Sequence, residues 1–278
     1  MINFIIVTPV FNANYLLVDT VDSIVNQIGL GKNFTITYVI ADSGYSDGVE
    51  RSFVDELISG KNEINGLKVH HIKYRDNSMY DGIVNAVSSF LNYDFDFFSY
   101  INSGDYYSPY ALLEIVNSNK KSEKNWIIGC IGSYNESGKL YKLIEPVAYP
   151  PSLILNGMTG KLIPFIQQES TFVRFNFFKK IDFLKLSELK YAGDFFIWTS
   201  LCRQGLSPDI LPVWLGGFRE HEGQLSSIFS KEYRKEMKVF SKKIDLISIL
   251  KGVVILVLNV LHPRVRGSKL LKWVRAWK

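Results

Sequence analysis

Four groups of polar residues in the first half of the chain are of types that could carry acid–base or metal chemistry. Each group follows a short apolar run. These groups are Thr8 with Asn12, Asp42, Arg75 with Asp76, and residues 102–105. Carboxylate oxygens are ligands that Mg²⁺ and Mn²⁺ prefer, usually together with oxygens of a bound phosphate. The alternative is a purely local role, because Asp and Asn are also common in turns and helix caps.

The sequence lacks the two glycine-rich signatures that cradle nucleotide phosphates. No GxGxxG follows the first apolar run, and no GxxxxGK[ST] occurs anywhere. These absences argue against a dinucleotide-binding dehydrogenase and against a P-loop nucleotidase. A nucleotide bound here would need another counter-charge for its phosphates, and a divalent cation held by a carboxylate is the physical alternative.

Apolar, β-rich runs alternate with amphipathic stretches over residues 4–101. This periodicity predicts strands at Phe4 to Thr8, Ile36 to Ala41, Leu67 to Tyr74 and Phe95 to Ile101, and helices at Tyr15 to Gln27, Val49 to Ile58 and Met79 to Leu91. The βαβαβαβ order predicts an α/β fold with a doubly wound, mostly parallel sheet. Ligands bind such sheets at the carboxyl ends of the strands, where the polar groups lie.

The composition predicts a folded protein of a reducing compartment. The chain has 278 residues, of which 47% are hydrophobic and 21% are charged, and this excludes a mainly disordered state. Cys130 and Cys202 are too few and too far apart for a disulfide framework or a thiolate zinc site, so both are predicted to be buried and unpaired. The first residues do not resemble a signal peptide, which predicts a cytoplasmic location.

Positive charge is concentrated near the carboxyl end of the sequence. Residues 231–278 contain thirteen Lys or Arg and three acidic residues, a net charge of +10, whereas the whole chain has a net charge of +5. The first 230 residues therefore have a net charge of −5. An acidic body argues against a general nucleic-acid-binding protein, and the basic segment is predicted to be a structural element separate from that body.

Several segments, taken together, resemble the family 2 glycosyltransferases, the inverting nucleotide-sugar enzymes of the GT-A fold. Four segments match family motifs in the right order. Ile6 to Asn12 is similar to the opening strand and Val39 to Gly48 to the second-strand aspartate loop. Asp76 to Ile83 is similar to the "DNGMYDGI" segment and Tyr100 to Tyr107 to the "LNSDD.Y" metal motif. Acceptor-side segments of the family resemble Phe165 to Phe172, Tyr191 to Trp198 and Gly217 to Ser226. The resemblance thus extends to about residue 226.

The resemblance implies a donor site for a nucleotide sugar. The residues implied for this site are Thr8, Pro9, Phe11, Asn12, Asp42, Ser43, Asp76, Tyr80, Asp81, Asn102, Ser103 and Gly104. Asp42 would accept hydrogen bonds from the base or the ribose, or it could form an Asx-turn. Asp81 would lie by the nucleoside, or it could stabilise a helix N-terminus. UDP-sugars are the default donor, and Ser43, where other members can carry a second acid, leaves GDP- and dTDP-sugars open.

The resemblance also implies a divalent metal, Mn²⁺ or Mg²⁺, held by Asp105 at the diphosphate. The family often has two adjacent acids here, whereas this chain has Gly104 before Asp105, which leaves loose metal dependence open. His221 is a second candidate ligand, and its nitrogen favours Mn²⁺. Asp105 could instead be a turn residue and His221 an ordinary histidine. His70 and His71 on the third strand are interpreted as structural.

Asp194 is the predicted general base. Inversion at an anomeric carbon is a single displacement, so one carboxylate must take the proton from the attacking hydroxyl. The alternative is that Asp194 caps the helix predicted at Phe195 to Arg203.

Further acceptor-side candidates are Gln168, Glu169, Trp198 and Arg219. Glu169 is the rival base, or else an acceptor ligand or a structural partner of Arg174 or Arg219. Trp198 could stack on a sugar face, or it could be buried.

Two features of the last fifty residues suggest contact with a membrane surface. Residues 244–261 are largely apolar, but their longest uninterrupted run, Gly252 to Leu258, is too short for a transmembrane helix. After Pro263, basic residues interleave with Val, Leu and Trp up to Lys278, which predicts a peripheral contact with an anionic membrane surface. The alternative is a helical hairpin that packs on the body or on a second protomer, so a homodimer stays open.

The sequence therefore predicts one GT-A domain over residues 1–228, with a nucleotide-sugar half (1–110) and an acceptor half (111–228), and a basic helical extension over 229–278. The expected activity is inverting transfer of a hexose or N-acetylhexosamine to a hydroxyl of a saccharide acceptor, linked to polyprenyl diphosphate, at the inner face of a bacterial membrane during polysaccharide synthesis. Two alternatives stay open. One is an inactive nucleotide-sugar-binding module, and the other is a nucleotide-sugar pyrophosphorylase, which would need a glycine-rich basic loop after the first strand.

Overall fold

One mixed sheet organises the computed structural model, which describes residues 1–11, 15–44, 49–220, 229–243 and 245–261. Its strands in the described residues are β1 (Ile2–Val10), β2 (Phe34–Asp42), β3 (Leu67–Lys73), β4 (Phe97–Tyr100), β5 (Tyr106–Tyr107), β6 (Trp126–Tyr134), β7 (Leu140–Ile144), β8 (Thr171–Arg174) and β9 (Asp209–Arg219). They lie in the order β3-β2-β1-β4-β8-β6-β9-β5, and β7 pairs with β6. Only β5, β7 and β8 of these run opposite to the rest, so the predicted mostly parallel sheet is confirmed.

Helices cover both faces of this sheet. One face packs against α1 (Leu16–Val25), α2 (Val49–Ile58) and α4 (Ala111–Lys121). The other face packs against α3 (Met79–Ser88), α5 (Pro151–Leu155), α6 (Phe175–Phe178), α7 (Phe183–Ser187), α8 (Gly193–Arg203), α9 (Ser230–Phe240) and α10 (Leu246–Leu261). The predicted doubly wound arrangement is therefore confirmed.

Strand β1 shows why the sheet needs cover on both sides. Successive side chains of a strand point to opposite faces. Ile5 and Val7 belong to the core with α3 and α8, whereas Phe4 and Ile6 belong to the core with α1 and α4, and all four are at most 1% exposed. Each such side chain contributes roughly 1.5–3 kcal/mol when it leaves water.

The predicted elements of residues 4–101 are all present, and their ends differ by a few residues. Strands β1 and β2 are longer than predicted because their polar ends also pair through the backbone, as Asn3 does with Thr35. The Thr35 hydroxyl adds a hydrogen bond to Asn3 Oδ1 at 2.6 Å. Cys130 and Cys202 are buried and unpaired, as predicted. No helix of the described residues is long and apolar enough to span a membrane.

Part of the predicted basic extension packs against the body of the protein. Met237 and Phe240 of α9 are 5% and 7% exposed, and the Phe240 ring lies 4.8 Å from that of Phe196 on α8. In α10, Ile255 is fully buried. One face of α9 and α10 thus packs on the body, and the basic segment 262–278 lies outside the described residues. The membrane contact and the homodimer stay predictions.

Candidate active site

Asp42 stands at the carboxyl end of β2, where it pairs in register with Val10 of β1 and Lys73 of β3. Its Oδ1 accepts a hydrogen bond from the Gly44 N–H at 2.8 Å, so the Asx-turn is present. Its Oδ2 lies 3.0 Å from Nε2 of His71. His71, which the sequence suggested was only structural, therefore orients the predicted nucleoside carboxylate.

Asp76 lies beside Asp42 at the same edge of the sheet. Burial, together with the negative charges of Asp81 and Asp42, raises the pKa of Asp76 to about 6, and a hydrogen bond with Ser43 opposes that rise. Ser43 itself donates to the Val10 carbonyl at 3.2 Å. Three of the predicted donor-site residues, Asp42, Ser43 and Asp76, are therefore brought together.

The Asp81 carboxylate accepts hydrogen bonds at the start of α3. Ser78 caps this helix by accepting from the Asp81 N–H at 3.2 Å, and Asp81 Oδ2 accepts from the Asn77 N–H at 3.0 Å. Its Oδ1 accepts from the Asn85 amide. Both oxygens thus accept hydrogen bonds at the start of the helix, as the helix N-terminus alternative expects, and the nucleoside role of Asp81 stays a prediction.

Tyr80 points toward the acceptor half of the protein. The side chain is 3% exposed, and its hydroxyl donates to the Tyr191 carbonyl at 3.3 Å. Its ring lies against Gly193, where a Cβ would be only 2.5 Å from the ring carbons. Tyr80 therefore supports the loop before Asp194 rather than lining a nucleoside pocket, which corrects the prediction.

The residues at the end of β1 contribute less than predicted. Thr8 is fully buried within the sheet, and its hydroxyl oxygen accepts from the Tyr38 hydroxyl at 3.0 Å. A side chain in that position cannot touch a ligand, so Thr8 is corrected to a structural role. Pro9 is also buried, whereas Phe11 is 63% exposed beyond the strand. Asn12 and His221, two further predicted site residues, lie outside the described residues.

Residues 102–105 form a tight turn that α1 holds in place. The Asp105 N–H donates to the Asn102 carbonyl at 3.1 Å. The Thr20 hydroxyl donates to the Asp105 carbonyl at 2.7 Å and accepts from the Gly104 N–H at 2.9 Å. Gly104 has a φ of 100°, which L-residues rarely adopt. This backbone geometry accounts for a glycine where the family often has a second acid.

The Asp105 side chain is 5% exposed. Its Oδ1 accepts from the Arg219 N–H at 3.0 Å, which ties the turn to the end of β9. Burial and the nearby charge of Glu169 raise the pKa of Asp105 well above its usual range, although hydrogen bonds with Arg219 and Asn102 oppose the rise. Asp105 and Asn102 are therefore adjacent, as the metal motif implies, whereas Ser103 lies at the partly exposed surface of the turn.

Glu169 is a buried carboxyl in the short 3₁₀ turn Gln168–Ser170, directly before β8. It is 3% exposed, and Gln168, also buried, donates from Nε2 to Glu169 Oε1 at 2.7 Å. Its Oε2 has no hydrogen-bond partner within the described part of the chain. Burial raises the pKa of Glu169 to about 7. Gln168 and Glu169 thus line the interior of the site and do not form an open acceptor surface.

Two expectations for the acceptor side are wrong. Glu169 does not pair with an arginine, because Arg174 binds Asp96 at 2.8 Å and Arg219 binds Asp19 at 2.5 Å. Trp198 is not free to stack on a sugar. It is 4% exposed, and its ring stacks on the Trp126 ring at 5.4 Å with an interplanar angle of 18°.

Asp194 lies in the first turn of α8, which begins at Gly193, one residue before it. It is therefore not the N-cap of this helix, a position that Ala192 occupies. Its Oδ1 accepts from the Phe195 N–H at 2.6 Å, and the Tyr233 hydroxyl lies 3.0 Å from both carboxylate oxygens. Burial raises the pKa of Asp194 to about 6, so the carboxylate is mainly ionised at neutral pH.

Glu169 connects the predicted metal ligand with the predicted base. The charge of Glu169 raises the pKa of Asp105, and the charge of Asp194 in turn raises the pKa of Glu169. The three carboxyls are thus linked electrostatically through Glu169, and we call them the acidic cluster. Groups with pKa values perturbed by burial and by a like charge are characteristic of functional sites.

The oxygen atoms of this cluster suit a hard divalent cation. Asp105 offers a carboxylate, and Oδ1 of Asn102 is buried with no hydrogen-bond partner among the described residues. Such oxygen ligands fit Mg²⁺ or Mn²⁺. The described residues contain no group of three or more His, Cys, Asp or Glu that could hold an ion alone. A cation here therefore needs the oxygens of a bound diphosphate as well.

The mostly parallel sheet with helices on both faces, and the acidic residues at the carboxyl ends of its strands, define an α/β protein of the class that binds ligands at that edge. The sequence profile described as "Glycosyl transferase family 2" matches residues 5–182. The chain therefore belongs to glycosyl transferase family 2. No curated protein matches its sequence.

Solved structures share the fold at low sequence identity. The 1–349 fragment of S. aureus TarS in complex with UDP-GlcNAc is 14% identical, with a TM-score of 0.60 over 100% of this chain and 76% of that one. GalNAc-T7 with UDP, GalNAc and Mn²⁺ is 14% identical, with a TM-score of 0.56 over 84% of this chain and 50% of that one. This likeness agrees with the GT-A fold expected from the sequence.

Proposed function

We propose that this protein is an inverting glycosyltransferase that moves a hexose or N-acetylhexosamine from a nucleotide-diphosphate sugar to a hydroxyl of a saccharide acceptor. The observation that carries the proposal is the acidic cluster of Asp105, Glu169 and Asp194, together with Asp42 and Asp76 at the edge of the sheet. A UDP-sugar is the default donor, and this choice is supported by the UDP-GlcNAc and UDP found in structures of similar fold.

The donor half of the site binds and orients the nucleotide. Asp42, held by His71 and by its own turn, accepts hydrogen bonds from the base or the ribose. Asp105 and Asn102 would hold a divalent cation beside the diphosphate of the donor. When bound, Mn²⁺ or Mg²⁺ neutralises the charge that develops on the leaving diphosphate.

Asp194 acts as the general base of the transfer. The acceptor oxygen forms its bond to the anomeric carbon as the bond to the diphosphate oxygen breaks, and the hydroxyl proton passes to Asp194. Oδ1 accepts from the Phe195 N–H and both oxygens lie 3.0 Å from the Tyr233 hydroxyl, so Oδ2, which has one hydrogen-bond donor fewer, is the oxygen we assign to take the proton. A pKa of about 6 leaves the carboxylate ionised at neutral pH and more basic than an ordinary aspartate.

Thermal stabilisation by nucleotide sugars tests this function without a known acceptor. We expect one nucleotide sugar from a panel of UDP-, GDP- and dTDP-sugars to raise the melting temperature with Mn²⁺ more than without it, because a ligand that binds the native state stabilises it by mass action. That donor is also expected to be hydrolysed slowly in the absence of acceptor. Stabilisation without any hydrolysis indicates an inactive binding module, and no stabilisation by any nucleotide sugar contradicts the proposal.

We also propose that α9 and α10 dock on an anionic membrane, peripherally at its inner face, which favours an acceptor linked to polyprenyl diphosphate in polysaccharide synthesis. Large apolar side chains of this region are exposed, with Leu246 at 80%, Ile247 at 66%, Leu250 at 64% and Val239 at 72%. The exposed basic residues of α9 are Lys231, Arg234, Lys235 and Lys238. An apolar surface flanked by positive charge matches the boundary between anionic headgroups and acyl chains.

Liposome sedimentation tests the docking surface. The protein is expected to sediment with phosphatidylglycerol vesicles at low salt and not with phosphatidylcholine vesicles. Leu250→Glu should reduce this binding, whereas Leu184→Glu, at a residue 82% exposed on α7, should not. Equal binding of both variants contradicts the proposal, and a dimer that Leu250→Glu dissociates shows that a second copy covers the surface.

A further inference from the structure

Helix α9 brings two side chains to the loop that carries Asp194. The Tyr233 hydroxyl lies 3.0 Å from Oδ1 and 3.0 Å from Oδ2 of Asp194. Glu236 accepts hydrogen bonds from three successive backbone N–H groups, those of Lys190 at 3.1 Å, Tyr191 at 2.9 Å and Ala192 at 2.7 Å. Residues three apart on a helix share a face, so one face of α9 makes both sets of contacts.

Glu236 holds the backbone that leads into α8. The N-cap of α8 is Ala192, which has no side chain to accept a hydrogen bond, and the Ala192 N–H is one of the three that donate to Glu236. A carboxylate at that end also suits the positive end of the helix dipole. The backbone that presents Asp194 is therefore fixed by a residue 42 positions later in the chain.

The same helix is fastened to the other end of α8. Arg203, the last residue of α8, donates from its guanidinium to the Phe240 carbonyl at 2.8 Å. Phe240 in turn packs its ring on Phe196 at 4.8 Å. With both ends of α8 attached to α9, the Tyr233 hydroxyl has a fixed place relative to the Asp194 carboxylate.

We propose that Tyr233 and Glu236 are positioning residues for the base Asp194, so that the helix after the catalytic body completes the active site. This inference rests on the proposed function. Tyr233 fixes the orientation of the carboxylate through its contacts with both oxygens, and Glu236 fixes the backbone before it. Both act through Asp194, and neither is assigned a contact with the substrate.

Tyr233 keeps its proton throughout this process. Burial and the negative charge of Asp194 raise the pKa of Tyr233 well above its usual range, so it remains a hydrogen-bond donor. Its hydrogen bond favours the ionised form of Asp194 and opposes the rise in pKa caused by burial. The titratable groups that face Asp194 from the surrounding elements are Tyr80, Tyr100, Glu169, Tyr233 and Glu236.

Tyr233→Phe in the full chain tests the positioning role, because it keeps the ring and removes only the hydroxyl. We expect hydrolysis of the nucleotide sugar selected by the thermal panel to fall about tenfold in kcat with little change in KM, which corresponds to one hydrogen bond to a charged group. The acid limb of the rate profile should move to higher pH. Tyr149→Phe removes a hydroxyl that donates to the Phe165 carbonyl at 3.2 Å, away from Asp194, and should change neither.

A second measurement needs no substrate. Only the ionised Asp194 gains from the Tyr233 hydrogen bond, so the difference in melting temperature between Tyr233→Phe and the unsubstituted chain should widen from about pH 5 to about pH 8. Tyr149→Phe should show a difference that does not depend on pH. Glu236→Gln should also lower kcat, whereas Glu232→Gln on the same helix should not.

The outcomes separate this inference from the proposed function. A Tyr233→Phe variant with unchanged kcat, pH profile and pH-dependent stability overturns the positioning role. Equal losses in Tyr233→Phe and Tyr149→Phe, with no shift of the acid limb, show a structural role only and also overturn it. An Asp194→Asn variant with full activity refutes Asp194 as the base and with it this inference, whereas failure of every nucleotide sugar to stabilise the protein refutes the proposed function itself.

Discussion

The ring of Tyr80 on α3 fills the space that a side chain at Gly193 on α8 would need. A Cβ at Gly193 would lie 2.5 Å from Cγ and Cδ1 of Tyr80, closer than non-bonded carbon atoms approach. Tyr80 is the second residue of α3, which begins just after the loop of Asp76, and Gly193 directly precedes Asp194. This contact therefore sets the spacing between the start of α3 and the residue that precedes Asp194.

Gly193→Ala should disturb both stability and activity. The added methyl group must displace the Tyr80 ring or the start of α8, and overpacking of this kind typically costs about 1–3 kcal/mol of unfolding free energy. Because the displaced backbone carries Asp194, turnover should fall more than donor affinity. Denaturant unfolding and donor hydrolysis measure the two effects.

A double mutant provides the control for this contact. Tyr80→Ala removes the ring that the methyl group meets, so Gly193→Ala should cost clearly less stability in that background than in the unsubstituted chain. Additive effects of the two substitutions would show that the clash is not the cause.

Asp105→Asn should remove the dependence of donor binding on the metal. The asparagine keeps an oxygen that can accept from the Arg219 N–H, so the turn remains supported, but it lacks the charge that a divalent cation requires. Asp105→Ala is a poorer choice, because the buried Arg219 N–H would lose its acceptor at a cost of about 1–3 kcal/mol. Thermal shift by the nucleotide sugar with and without Mn²⁺ measures the effect. A Mn²⁺-dependent shift that survives in Asp105→Asn contradicts the metal assignment.

The sequence was sufficient to predict the first half of the fold, because alternating apolar periods dominate there. β1, β2 and β4 are apolar runs buried on both faces, and α1 and α3 each bury one amphipathic face, so both kinds of element are visible in the sequence. The antiparallel strand β8 between β4 and β6 could not be predicted, since long-range pairing leaves no local period. The motif residues Asp42, Asp76, Asp105 and Asp194 stand at the predicted strand and helix ends.

Other parts of the site depend on contacts that are remote in sequence. Tyr233 and Glu236 lie in a segment whose visible signal is positive charge, so their contacts with Asp194 and its loop could not be inferred. Asp81, in contrast, had a readable signal. A serine three residues before an acid, as in Ser78 and Asp81, is the pattern of a helix capping box.

Glu169→Gln should flatten the dependence of stability on pH in the metal-free protein. The pKa of Glu169 is raised to about 7 in the folded state, so the native protein binds more protons than the unfolded one from about pH 4.5 to about pH 7. The unfolding free energy of the unsubstituted chain should therefore fall as the pH rises through this range. Glutamine does not titrate, so the fall should be smaller by an amount on the order of 3 kcal/mol.

The control for this measurement is a glutamate with an exposed side chain. Glu123 is 77% exposed, so Glu123→Gln should leave the pH dependence of the unfolding free energy unchanged. Unfolding by urea at about pH 5 and about pH 8 in the presence of a chelator compares the variants. The same slope in Glu169→Gln and in the unsubstituted chain would show that Glu169 is not the titrating group.

Truncation after Phe229 should destabilise the body of the protein, whereas truncation after Leu261 should not. The shorter chain loses Met237 and Phe240 from the core, at roughly 1.5–3 kcal/mol each, together with the contacts of Glu236. The longer one keeps every described helix. Circular dichroism and gel filtration compare the two. A chain ending at Phe229 that unfolds cooperatively at the melting temperature of the full protein contradicts the packing of α9.

Asp194→Asn separates chemistry from binding. Asparagine keeps the size of the side chain and an oxygen that can accept from the Phe195 N–H, but it cannot take the acceptor proton. We expect turnover to fall by about 10²–10⁴-fold, with donor affinity nearly unchanged. In the unsubstituted enzyme the rate should rise with pH through about 6, because only ionised Asp194 is a base. Asp182→Asn, which alters a carboxylate that accepts from the Lys185 N–H at the start of α7, is the matched control for helix stabilisation and should stay active. Transfer or hydrolysis rates of Asp194→Asn within a few-fold of this control would exclude Asp194 as the base. Glu169 would then be the base to test, because its pKa is also raised and the charge of Asp194 acts on it.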